Sequence, residues 1–169
     1  MERNDYDFDR AKFDAVWRRV MPETEDNTSK QKAAIKHSED NEAEMLRDFM
    51  DDESCDAQLY CQLAAMCSGS ARQMLMRISS DERCHLKKLR AKYFILTGET
   101  YTPPNTCPLI YAVCDALRLK YSGEKEGSAA YRAAAERTSD TDLKDTYLAL
   151  SEDEARHSRT IGCIIENMF

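Results

Sequence analysis

Apolar residues recur at helical spacing along most of this chain, and their pattern predicts four long helices. Over residues 38–67, Leu46, Phe49, Glu53, Tyr60 and Leu63 fall on one face. Ser68-Gly69-Ser70 makes the turn that follows, with glycine suited to the end of a helix. A second helix carries Ile78, Glu82, His85, Leu89 and Tyr93 in register to about Thr97, and Gly98 ends it. The third begins near Pro108 and aligns Ile110, Val113, Leu117, Glu124, Tyr131 and Ala134. Gly123 and Gly127 lie inside that pattern, and each weakens a helix by about 1 kcal/mol against alanine. Ser139-Asp140-Thr141-Asp142 supplies caps for a fourth helix, whose stripe of Leu143, Tyr147, Leu150, Glu154, His157 and Ile161 runs on to the C-terminus.

The segments outside these helices set the architecture. Phe13, Val16, Trp17, Val20 and Met21 predict a short amphipathic helix over residues 8–21, stopped by Pro22, and the polar residues 22–38 read as a linker. Residues 1–37 are thus an arm and residues 38–169 the bundle. Trp17, the one tryptophan, is expected to dock the arm on the bundle or on a second subunit. Residues 98–107 join the second and third helices. Ten extended residues reach roughly 33 Å, most of the length of these helices, and Pro103-Pro104 stiffens them. The expected fold is an all-α four-helix bundle with a crossover connection between its second and third helices.

Composition agrees and removes some functions. Only five glycines and four prolines occur in 169 residues, and a net charge of −7 excludes the basic stripe of a nucleic-acid surface. No apolar run is long enough to span a membrane, and the acidic N-terminus lacks the apolar core of a signal peptide, so a cytoplasmic location is expected. The seven cysteines are odd in number and contain no Cys-x-x-Cys pair. They read as small buried apolar residues rather than as a disulfide framework.

Candidate chemistry is concentrated in a spacing that occurs twice. Glu82-x-x-His85 and Glu154-x-x-His157 each place a carboxylate and an imidazole on one helix face, within reach of one metal ion. A lone pair of this kind is common on solvated helices. Glu53 in its acidic run, or Glu124 beside Lys125, would likewise pass as surface. All six residues, however, fall in the apolar stripes of their helices at matching depth, and the two halves of the chain repeat the arrangement. Four buried carboxylates without metal would repel one another and be poorly solvated. Four glutamates and two histidines facing one core therefore form a candidate metal site of Glu53, Glu82, His85, Glu124, Glu154 and His157. Tyr60 and Tyr131 each stand two turns beyond a glutamate. They read either as hydroxyls bonded to a ligand carboxylate or as core aromatics. His37 falls in the linker and reads as a surface histidine.

Glu53…Tyr60, Glu82-Arg83-Cys84-His85, Glu124…Tyr131 and Glu154-Ala155-Arg156-His157 together resemble the ferritin-like superfamily and, within it, the rubrerythrin-like (erythrin) proteins. The resemblance covers about residues 40–168, and a crossover bundle is typical of that superfamily. It implies two iron ions, with Glu82 and Glu154 bridging, Glu53 and Glu124 terminal, and His85 and His157 each on one ion. The ligand set also admits manganese, alone or mixed with iron. The implied activity is reduction of peroxide or dioxygen in oxidative-stress protection. Rubrerythrins proper carry a rubredoxin module that this chain lacks, so a separate donor protein would supply electrons. They also use an extra glutamate one turn past the ligand of the third helix, where this chain has Gly127, and Glu126 lies on a different face. Two alternatives stand beside this activity: a ferroxidase for iron storage or delivery, and a non-enzymatic helical interaction module with a vestigial site. Apolar faces left over after the core is assigned point to a homodimer.

Overall fold

The computed structural model describes the backbone of residues 24–168 and the side chains of residues 41–168. Two compact units divide the chain, Met1–Asp40 and Asn41–Phe169. The predicted helix over 8–21, Trp17 and the side chain of His37 lie outside the described residues. Four helices and no strand occur among the described residues: α1 (Thr24–Met66), α2 (Gly69–Thr97), α3 (Val113–Arg137) and α4 (Thr141–Glu166).

Residues 24–38 are helical, not the linker that their polarity suggested. They contain no glycine or proline and include Lys, Gln and Ala, all good helix formers, so nothing in them interrupts α1. The α1–α2 turn has Gly69 at φ 59°, and α2 ends on Gly98 at φ 73°, where the glycine N–H bonds Phe94 O at 2.8 Å. Both conformations favour glycine. Asp140 caps α4 by accepting from the Leu143 N–H at 2.9 Å. Gly123 and Gly127 do not break α3.

Side-chain bonds fix the helix directions. Ser79 Oγ donates to Ala57 O and Arg72 to Ala64 O, which makes α1 and α2 antiparallel neighbours. Ser128 and Ser151 each donate to the other's carbonyl at 2.8 Å and hold α3 against α4. Tyr60 reaches Glu124 while Tyr131 reaches Glu53, so α3 also runs antiparallel to α1. Hence α2 and α3 are parallel, and the chain must traverse the bundle between them. It does so along α1: Tyr101 OH donates to Asp51 at 3.1 Å, the Cys107 thiol to Cys55 O at 3.2 Å, and the Ile110 N–H to Gln62 at 3.2 Å. This crossover occupies residues 98–112, longer than the 98–107 expected, because α3 begins at Val113 rather than near Pro108. Ile110 stays in the crossover, where Gln62 binds both its N–H and the Pro108 carbonyl.

The apolar core lies in two blocks. Leu46, Met50, Leu89, Tyr93, Leu143, Tyr147 and Leu150 fill one end of the bundle. Leu63, Leu75, Ile78, Leu117, Ile161 and Ile164 fill the other, together with Tyr60. Between the blocks all four helices contribute polar side chains. The cysteines depart from expectation, since none is buried: Cys61, Cys84, Cys114 and Cys163 are exposed and the other three half-buried. Five of them occupy helix positions beside the apolar stripes rather than on them, while Cys67 lies in the α1–α2 turn and Cys107 in the crossover.

Candidate metal centre

Glu53 from α1, Glu82 and His85 from α2, Glu124 from α3, and Glu154 and His157 from α4 all point into the layer between the apolar blocks, and all are buried. Helical spacing explains their meeting: on α2 and on α4 the i, i+3 pair shares the face that carries the core leucines and isoleucines. The six form two overlapping groups whose ligand atoms lie within 4.8 Å of one another. One group is Glu53, Glu82, His85 and Glu154, and the other Glu82, Glu124, Glu154 and His157. Glu82 and Glu154 are common to both.

The distances place one imidazole nitrogen at the heart of each group. His85 Nδ1 lies 2.9 Å from Glu82 Oε2, 3.2 Å from Glu154 Oε1 and 3.4 Å from Glu53 Oε2. His157 Nδ1 lies 2.9 Å from Glu82 Oε1 and 3.4 Å from Glu124 Oε2. The two rings stack with centroids 5.6 Å apart. Glu82 thus presents one oxygen to each histidine, as a bridging carboxylate does. Both Glu82 oxygens, His85 Nδ1, His157 Nδ1, Glu124 Oε2 and Glu154 Oε1 are buried without a hydrogen-bond partner. Buried polar atoms are seldom left so, and six converging on one space match what bound metal would satisfy. This buried Glu/His cluster could bind metal.

The surrounding groups turn the ligands inward. Tyr60 OH donates to Glu124 Oε1 and Tyr131 OH to Glu53 Oε1, leaving the other oxygen of each carboxylate for the centre. Both tyrosines are therefore core aromatics whose hydroxyls bond a carboxylate of the cluster. Asp153 and Asp81 hold the outer nitrogens: His85 Nε2 is 3.1 Å from Asp153 Oδ2, and His157 Nε2 is 3.3 Å from Asp81 Oδ2. An Nε2–H donated to a carboxylate leaves Nδ1 as the free lone pair. Neither aspartate falls among the six candidate residues read from the sequence, although the repeated motif is Asp-Glu-x-x-His in both helices.

The twofold arrangement is broken by charge. Lys120 donates to Asp56 at 2.5 Å and lies 3.7 Å from Glu124 Oε1, whereas the position related to Glu53 in the same way is Phe49, stacked on Tyr131 at 4.2 Å. Burial, which alone would lower the Lys120 pKa, is outweighed by Asp56 and Glu124, so the ammonium persists. Burial pushes the Asp56 carboxyl up to about 6 against the pull of Lys120.

Proton affinities inside the cluster are far from ordinary. Burial, aided by the Glu82 charge and opposed by His85, raises Glu53 to about 8. It likewise raises Glu154 to about 10. Glu82 and Glu124 go the other way, because their bonds to histidine outweigh burial. His85 and His157 are raised despite burial by the carboxylates that face their Nδ1 atoms, His157 to about 10. Without metal, the cluster therefore favours protons on its imidazoles and on Glu53 and Glu154 over protons on Glu82 and Glu124.

A cleft of about 330 Å³ opens between α1 and α3, with Glu53 and Glu154 at its floor and Asp52, Asp56, Lys120 and Glu126 on its walls. Among the described residues no helix is long and apolar enough to cross a membrane.

No family model matches the chain, and no curated protein matches it. A solved structure, a hypothetical protein from Pyrococcus furiosus, is similar with a TM-score of 0.66 at 17% identity, over 74% of this chain and 88% of that one. At that identity the likeness concerns the fold alone.

Proposed function

We propose that the cluster holds a carboxylate-bridged pair of iron ions and that the protein is a rubrerythrin-like oxidoreductase of the ferritin-like type, reducing peroxide or dioxygen. The observation that carries this reading is the pair of Glu/His groups sharing Glu82 and Glu154, whose unpartnered atoms converge on one buried space. Glu53 and His85 would hold one ion, Glu124 and His157 the other, and Glu82 and Glu154 both. Iron bound there would supply the electrons for O–O bond reduction.

The chain's own residues have separate tasks in this reading. Tyr60 and Tyr131 fix the terminal carboxylates, and Asp81 and Asp153 fix the imidazoles. The apolar blocks on either side keep bulk water from the layer. In this reading a separate donor protein would supply the reducing equivalents. Pairing of two copies would cover large apolar side chains left exposed, Ile95, Tyr111 and Leu119 among them.

The test is anaerobic loading with ferrous iron followed by rapid mixing with peroxide, read by absorption. Two irons per chain should oxidise faster than free ferrous iron and be reducible again. Oxidation no faster than in buffer sinks the proposal. The acidic cleft favours a second reading, a ferroxidase that passes iron onward. Iron released after each oxidation, rather than retained through repeated cycles, would select it.

A further inference from the structure

Four of the six cluster residues, Glu82, His85, Glu124 and His157, are 1% exposed, while Glu53 and Glu154 retain 4% and 5%. Those two are also the ones at the floor of the cleft between α1 and α3. What opens the cleft is a missing pair of side chains, since Gly123 and Gly127 stand one helical turn apart on the α3 wall. Packing does not require either glycine. A Cβ on Gly127 would meet Glu154 Oε2 at 3.5 Å, and one on Gly123 would meet only the Lys120 ammonium at 3.6 Å, both ordinary contacts. Each glycine nevertheless weakens the helix relative to alanine. The pair leaves a notch that exposes the edge of a ligand carboxylate.

The walls of the notch select by charge. Asp52 and Glu126 are exposed at its rim, and Asp56 lies further in. The single ammonium of the lining, Lys120, is already engaged by Asp56 at 2.5 Å and sits near Glu124. The lining therefore carries a surplus of negative charge. At its floor Glu154 is 95% buried and joins the notch to the cluster: its Oε2 faces Gly127, while its Oε1, without a hydrogen-bond partner, lies 3.2 Å from His85 Nδ1. A confined acidic cleft with low-dielectric walls concentrates cations at its mouth.

We propose that this notch is the entry port through which divalent cations reach the buried cluster, with Asp52 and Glu126 as transient carboxylate contacts and Gly127 as the residue that sets its width. The port rests on the metal-centre reading above but not on iron or on peroxide chemistry.

Cobalt(II) uptake tests it, because the ion's visible bands report binding without oxidation. Rates are measured for the wild-type chain, Gly127→Ala, Gly127→Leu and the double variant Asp52→Asn/Glu126→Gln. Gly127→Leu should load at least roughly tenfold more slowly yet reach the same two ions per chain, since a closed port must open before each entry. Removing the rim charges should slow uptake by about tenfold at low salt and flatten its salt dependence. Gly127→Ala, whose methyl fits, should load near the wild-type rate, and circular dichroism confirms that each variant is folded. Uptake of two ions at a rate indifferent to leucine and to rim charge overturns the port and leaves the metal centre standing. Failure of the wild-type chain to take up two ions overturns both.

Discussion

His85 Nε2 lies 3.1 Å from Asp153, and Asp153 immediately precedes Glu154, a cluster carboxylate of the opposite helix. The same relation joins His157 to Asp81 and hence to Glu82. Each imidazole is thus oriented by the neighbour of the carboxylate with which it would share a metal, so α2 and α4 lock each other's cluster residues. Asp153→Asn and Asp81→Asn should each lower metal affinity by about 10- to 100-fold, the usual cost of losing such a partner. Competition with a chromophoric chelator measures it. Unchanged affinity in both variants would remove the orienting role.

The metal-free protein should lose stability as pH rises. Glu53, Glu154 and His157 have folded pKa values of about 8, 10 and 10, and His85 is raised as well. Their ordinary values are 4.5 for the glutamates and 6.5 for the histidines. Across that window the folded cluster keeps protons that the unfolded chain has released, so the stability these groups give is lost as pH climbs through their folded values. Glu82 and Glu124 are lowered, and their contribution disappears instead as pH falls below 4.5. Metal-free melting temperature should therefore peak near about pH 5 and decline toward about pH 9. A flat or rising profile over that range contradicts the assignment.

Divalent cations bound in the cluster would displace protons from these raised groups, so loading should reverse that decline. Metal stabilises the folded state by about 2.7 kcal/mol at a free concentration one hundred times its Kd, and chelation should remove this. Melting with and without chelator at several pH values measures the gain, which should grow as pH rises. A gain that shrinks toward alkaline pH is the adverse result.

Tyr60→Phe and Tyr131→Phe each leave one oxygen of a buried carboxylate without its donor. Each should cost about 1–3 kcal/mol in denaturant unfolding. Loss of the hydroxyl alone, with the ring retained in its core block, separates this effect from packing. No change in either variant would reduce the tyrosines to space fillers.

Lys120 makes the two halves of the centre unequal, because its ammonium sits 3.7 Å from Glu124, whereas the equivalent position beside Glu53 is Phe49. Two cations should bind in distinct steps, the half with Glu124 and His157 being the weaker. Lys120→Met should tighten the second step by roughly tenfold, a fraction of the Coulomb repulsion expected at such a distance. Calorimetric titration with manganese checks it. Equal steps in the wild type would refute the inequality.

The buried cluster was legible in the sequence because its glutamates and histidines sit in apolar stripes, where such residues are conspicuous. The crossover was legible for a similar reason: a stiff segment containing Pro103-Pro104 sat between hairpins that needed nothing so long. Asp81 and Asp153 escaped notice because an aspartate one residue off a stripe is indistinguishable from a solvated one until the facing helix is in place. The polarity of residues 24–38 misled in the opposite direction, since polar residues free of glycine and proline continue a helix as readily as they leave it. The cleft depends on what two glycines omit, and an omission has no shape before the helices are packed.

The crossover has a consequence for assembly. The α1–α2 hairpin contributes Glu53, Glu82 and His85, and the α3–α4 hairpin Glu124, Glu154 and His157. Neither hairpin alone holds either Glu/His group entire, so residues 98–112 act as a tether that keeps two halves of the cluster at high effective concentration. In the proposed metal centre, association of the halves and capture of the ions would be thermodynamically linked. A chain nicked within that tether should hold together more tightly with metal than without it.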